Sequence, residues 1–142
     1  GVESGEAVAA LTAALHPAAV IAVDALAARS LSRLGCTVQL TDAGISPGEG
    51  VGNRRPALSW ESLGAPVIAL GVPTVVDAAA LAAGLTGGDP SPEEVAPRGA
   101  AMIVTPREID LLVDRAARVL AMAVNRALNP DLSQEDFARL VS

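Results

Sequence analysis

Apolar and polar positions alternate along this chain in two different rhythms. Over 5–15, Val8, Leu11 and Leu15 recur at helical spacing with alanines between them, and Pro17 closes the segment. Residues 19–23 then form an unbroken apolar run of strand length, ended by the carboxylate of Asp24. A second strand is predicted over 36–40 and a third over 66–70, PVIAL, with Gly71 as its stop. Pro73 and Thr74 open a helix running through Leu85, Thr74 and Asp77 standing at the spacing of a capping box. Residues 84–101, rich in Gly, Pro and acids, form a predicted flexible loop.

The clearest helix follows Thr105, Pro106 and Glu108, which suit an N-cap, a first-turn proline and a capping glutamate. Ile109, Leu112, Val113, Ala116, Leu120, Ala123 and Ala127 make one apolar stripe, with Arg107, Arg115, Arg118 and Arg126 largely off it. Such a helix is expected to pack on a sheet or on a partner chain. Helix, strand, strand, long loop, strand, helix is the order of an α/β fold.

Composition narrows this picture. The 142 residues are the length of one domain, and half are apolar, enough for a core. Trp60 and Phe137 are the only aromatics, so that core is built from Ala, Val, Leu and Ile in close helix-on-sheet packing. Every one of the ten cations is Arg and the net charge is −6, which argues against direct nucleic-acid binding. No apolar run has membrane-spanning length and no signal segment opens the sequence, so no membrane association and a cytoplasmic compartment are expected. Cys36 is alone, which excludes an internal disulfide. Without Lys there is no Schiff base, and with one His and one Cys there is no His/Cys zinc site. Chemistry is left to carboxylates, hydroxyls, Arg and backbone amides.

Asp24 is the first candidate. In α/β sheets ligands bind beyond the carboxyl ends of strands, where the 19–23 run places Asp24. Spacing alone leaves it open whether Asp24 does acid/base work there or caps a following DALAARSLSRLG helix. Asp42 follows a strand in the same way, although Thr-Asp-Ala-Gly is also a turn signal, and Asp77 fits a helix cap better than a catalytic group.

The second candidate is the long connection over 41–64. Gly48, Gly50 and Gly52 suit a shaped loop lining a cleft, with Asn53, Arg54 and Arg55 available to hold an anion or a peptide carbonyl. Gly44-Ile45-Ser46-Pro47-Gly48 matches the serine-hydrolase pattern but fails it. Pro47 lacks the N–H that an oxyanion hole needs, and His16 precedes the serine instead of following it. The glycine series lacks the flanking strand and helix of a dinucleotide fingerprint. His16, at a helix end before Pro17, is expected to be structural, and Cys36 a small core residue.

Five stretches carry a resemblance to a known family: GVESGEAV (1–8), VIAVDALAARS (20–30), TDAGISPGEGVGNRR (41–55), LGAPVIALGVPTVVDA (63–78) and MIVTPREIDLLVDR (102–115). Together they resemble the germination protease of bacterial spores. The resemblance implies a three-layer phosphorylase/hydrolase-like α/β fold with a mixed, mainly parallel sheet flanked by helices, similar to hydrogenase-maturation proteases. It implies an endopeptidase of the spore core that degrades small acid-soluble spore proteins at germination. Such an enzyme is made as a zymogen, assembles as a homotetramer and uses an aspartic-type pair of carboxylates. Asp24 matches one of the pair, while Gly48, Gly50, Gly52, Asn53 and Arg54 would bind substrate.

The family's other aspartate belongs to a half upstream of GVESGE. Residues 1–142 are therefore expected to be the C-terminal part of a single protease domain, inactive alone. Glu49 departs from the small residue expected in the glycine loop. No cofactor or metal is expected. The alternative is a non-catalytic relative that binds a peptide or partner protein, and the sequence upstream of Gly1 would discriminate the two.

Overall fold

The computed structural model describes residues 2–47, 56–88 and 102–140. It divides into two compact units, Gly1–Pro106 and Arg107–Ser142.

The first unit is an α/β arrangement around a mixed open sheet. Helix α1 (Val2–Leu15) leads into strand β1 (Val20–Ala28), a short 3-10 helix (Leu31–Arg33) and β2 (Gln39–Thr41). Helix α2 (Trp60–Leu63), β3 (Val67–Asp77), α3 (Ala78–Thr86) and β4 (Ile103–Val104) follow. Among the described residues the sheet order is β1-β3-β2, with β4 pairing the far end of β3. β1 runs parallel to β3, while β2 and β4 run antiparallel to it. Among the described residues β1, β2 and β4 each pair with β3, whose Val67, Ala69, Val72 and Val76 are buried with Pro73 and Thr74. Ala28, Leu58 and Ala65 complete the core, small side chains packed closely as the aromatic-poor composition requires.

Two strands run beyond the stops expected of them. The 19–23 run continues through Asp24 to Ala28, because β3 offers β1 nine register partners. Tertiary pairing here overrides the helical preference of an alanine-rich stretch. No helix follows Asp24, so it is not an N-cap. β3 passes Gly71 and Pro73 to Asp77, displacing the start of α3 to Ala78. Pro73 is tolerated at an irregularity, since Leu26 pairs with Pro73 and the next residue, Ala27, with Val75. Thr74 is the residue skipped; its carbonyl accepts a hydrogen bond from the Thr105 hydroxyl (3.1 Å). The predicted strand over 36–40 is shorter and later, and Cys36 is exposed where a core position was expected.

α1 ends as its sequence requires. His16 takes a left-handed conformation (φ 46°) and donates its N–H to Thr12 (3.0 Å) before Pro17 prevents continuation. α3 ends at Gly87 in the same conformation, inside the predicted loop over 84–101; residues 89–101 lie outside the described residues.

In the second unit, α4 (Ile109–Leu128) and α5 (Gln134–Leu140) follow one another. α4 begins after Glu108 and not after Thr105, whose hydroxyl is used on Thr74. Its least exposed line is Ile109, Leu112, Ala116, Leu120 and Val124. Val113, Ala123 and Ala127 of the predicted stripe are exposed. Ser133 caps α5, accepting from the Asp136 N–H (3.1 Å) while its hydroxyl donates to the Asp136 carboxylate (2.6 Å). Among the described residues, no helix is long and apolar enough to cross a membrane.

Candidate active site

Side chains alternate across a strand, so one face of the sheet carries Asp24 and Leu26 of β1, Ala69 and Gly71 of β3, and Gln39 and Thr41 of β2. The other face carries Ile21, Val23, Ile68 and Leu40, all exposed. A cleft of about 560 Å³ opens on the first face. Leu26, Ala69, Gly71, Gln39 and Thr41 form its floor, and Ala43, Gly44, Ile45, Ser46 and Ala57 form a wall. Arg29 and Asp77 lie on its border as well.

Between Leu26, Gln39 and Thr41 the floor is made of two small residues, Ala69 and Gly71. At Gly71 this is obligatory: a Cβ there would overlap Cγ and Cδ1 of Leu26, which fill the space over the glycine. The wall is held by a two-residue bridge in which Ile45 and Leu58 exchange backbone hydrogen bonds (3.0 and 2.7 Å). Gly44, at φ 89°, makes the turn into that bridge, and a Cβ would collide with the Leu58 carbonyl and Ser59. α2 continues the wall: Ser59 N–H donates to the Ser62 hydroxyl (2.9 Å), which donates to the Ala57 carbonyl (2.7 Å). Glu61 in this turn has its pKa lowered by the Ser59 hydroxyl and by its own backbone N–H.

Asp24 is half-buried in the middle of β1, directly paired with Gly71. The Val20 N–H donates to Pro66 across the β1–β3 pair (2.8 Å), which fixes the alternation. Backbone groups of Asp24 therefore face β3 and those of Ala25 face away from it. The Asp24 Oδ1 accepts from this outward Ala25 N–H at 2.9 Å, so the carboxylate leans toward the side of β1 away from β3. Its neighbours Ala25 and Leu26 and its partner Gly71 all line the cleft.

The other sequence candidates separate from Asp24. Asp42 is exposed in a turn where the Thr41 hydroxyl accepts from the Ala43 N–H (3.0 Å). Asp77 borders the cleft, but its carboxylate caps α3, accepting from the Ala80 N–H at 2.6 Å. Ser46 lies on the wall, whereas His16 borders a different depression, with Thr12 and Leu63. Gly48, Gly50, Gly52, Asn53 and Arg54 lie outside the described residues, as does Glu49; in sequence they fall between the two partners of the Ile45–Leu58 bridge. Among the described residues no group of three or more His, Cys, Asp or Glu is placed to hold a metal ion. The contributions of Leu26, Gln39 and Thr41 to the cleft were not singled out in the sequence. Their signal is the two-residue alternation that joins each to Asp24 or Gly71 once the register is known.

A family model described as germination protease matches residues 1–86. The chain belongs to the germination protease family. It is 38% identical over 169 residues to the germination protease of Caldanaerobacter subterraneus subsp. tengcongensis, covering 99% of this chain and 52% of that protein. It is 37% identical over 170 residues to that of Clostridium perfringens (100% and 52%) and 32% identical over 196 residues to that of Priestia megaterium (96% and 53%). The chain thus spans about half the length of the curated germination proteases it matches. The family match contains β1, β2, the loop wall and β3, the parts that line the cleft; Asp24 lies beside it, on the strand that supplies Ala25 and Leu26, and is not itself a lining residue.

Proposed function

We propose that this chain forms the part of a germination-protease endopeptidase that carries one of two catalytic carboxylates, Asp24. The observation that carries the reading is the position of Asp24 on the face of the sheet where the cleft opens, directly beside the one floor residue without a side chain, Gly71. An extended peptide fits such a floor, and the small side chains leave its backbone accessible.

In this mechanism one carboxylate takes a proton from water as it attacks the scissile carbonyl carbon. The other carboxyl group donates its proton to the departing amine nitrogen. Two carboxyl groups sharing a site do not both ionise, which supplies the acid and the base from one residue type. The second group comes from the remaining half of the relatives' length, and the 142-residue chain alone is inactive. Gly48, Gly50, Gly52, Asn53 and Arg54, which in sequence fall between the bridged residues Ile45 and Leu58, bind the peptide. Small acid-soluble spore proteins in the spore core are the substrates, the parent enzyme is an aspartic-type zymogen and a homotetramer, and its fold is phosphorylase/hydrolase-like.

Asp24→Asn in the full-length enzyme tests the assignment. Loss of an acid/base group lowers kcat by about 10²- to 10⁴-fold, with the thermal unfolding midpoint retained. Near-normal cleavage of a purified small acid-soluble spore protein by this variant would remove Asp24 from catalysis.

A further inference from the structure

We propose that Gln39 donates a hydrogen bond to the carbonyl oxygen of the peptide bond that is cut. This rests on the reading of Asp24 as a catalytic carboxylate and extends it to the opposite side of the cleft.

The sheet register places three residues in one row. Asp24 of β1 pairs with Gly71 of β3, and Gly71 pairs with Gln39 of β2. Directly opposed residues project to the same face, so Asp24 and Gln39 flank the same stretch of floor. Two strand spacings separate their Cα atoms by roughly 10 Å, room for one extended backbone between two side-chain ends. Among the described residues nothing polar stands between them, because Gly71 has no side chain and Leu26 covers it.

A substrate backbone lying on Leu26 above Gly71 is therefore flanked by Asp24 on one side and by the Gln39 amide on the other, the Asp24 carboxylate turning from its bond to the Ala25 N–H to meet it. As water attacks the carbonyl carbon, the C=O π pair moves onto oxygen, which becomes an oxyanion. A donor already aimed at that oxygen lowers the barrier, and more so over an apolar floor. The Nε2–H of Gln39 is such a donor. Gln39 is exposed at the cleft, and among the described residues no group hydrogen-bonds its amide. Thr41 is the other polar floor residue of β2, but it pairs with Ala69, outside the Asp24 row, and its hydroxyl oxygen already accepts from Ala43. Arg29 follows the end of β1, also out of the row.

The test uses the full-length enzyme with a purified small acid-soluble spore protein as substrate. Gln39→Leu is expected to lower kcat by about 10²- to 10³-fold, the effect of losing one oxyanion donor, with KM changed no more than about twofold. Gln39→Glu, of the same size but with acceptors in place of donors, shows the same loss and an unchanged thermal midpoint, so it carries the test if the Leu variant unfolds early. A kcat within about threefold of the parent in a folded Gln39 variant overturns the proposal. Asp24→Asn in the same assay separates the two failures. Near-normal turnover there removes the whole site, and Gln39 with it; lost turnover there beside a fully active Gln39→Leu removes Gln39 alone.

Discussion

Leu26 stands in the space that a side chain at Gly71 would occupy. The two belong to neighbouring strands, and the fit between them sets the depth of the cleft floor. Gly71→Ala forces Leu26 out of its position, an overpacking change of about 1–3 kcal/mol. Leu26→Ala makes room for the new methyl group. In denaturant unfolding the double variant is expected to be more stable than the sum of the two single losses; simple additivity would show that the two side chains do not compete.

Gly44 combines a left-handed backbone with a Cβ direction blocked by the Leu58 carbonyl and Ser59. Gly44→Ala is expected to lose about 1–2 kcal/mol for the backbone conformation alone and to weaken the Ile45–Leu58 bridge. Limited trypsin digestion reads the second effect, since cleavage after Arg54 should accelerate relative to the parent, the bond after Arg55 being protected by Pro56. Unchanged digestion would mean that the bridge survives without the glycine.

Asp77 illustrates how a carboxylate at a cleft border can be structural. Its Oδ1 is bonded to the Ala80 N–H, satisfying an otherwise orphaned donor at the start of α3. Asp77→Ala should destabilise the protein by about 1 kcal/mol, and Asp77→Asn, which keeps an accepting oxygen, should recover most of that in thermal unfolding. Equal losses in both variants would show that the charge, and not the cap, is what matters.

The Glu61 carboxylate titrates below its usual range because the Ser59 hydroxyl and its own backbone N–H stabilise the ionised form. A carboxylate depressed in the folded state adds stability above its unfolded value and loses it as the pH falls through the folded one. Ser59→Ala should therefore raise the Glu61 midpoint toward the ordinary value, measured by NMR titration of the carboxyl carbon. A midpoint that does not move would assign the shift to the backbone alone.

The order of the longer elements was legible in the sequence because apolar runs and helix breakers are local, whereas the short α2, β4 and α5 carry too few residues to show a period. α1, with its stop at Pro17, and the capping role of Asp77 follow from residues within a few positions of each other. The lengths of β1 and β3 do not. Asp24, Gly71 and Pro73 each look like a strand's end in isolation, and each is carried by pairing with a distant segment. Thr105 went the same way: it resembles a helix cap, but its hydroxyl is taken by the Thr74 carbonyl, 31 residues back.

The proposed site offers one residue to sequence reading and hides its surroundings. Asp24 announces itself as a charge closing an apolar run. Gln39 and Leu26 carry no such mark, because what joins them to Asp24 is the shared pairing with Gly71, a relation between three strands that no single stretch contains.

Asp24 and Gln39 have no strand in common except β3, which lies between them. A fluctuation that frees either residue from its row must break the ladder on one side of the most buried strand in the sheet. The amides of β3 should accordingly be among the last to exchange with solvent. The two ends of the row differ in tenacity: Asp24 is held by the nine pairs of β1, whereas Gln39 rides on three-residue β2 at the end of the sheet, so the site opens first from the Gln39 side.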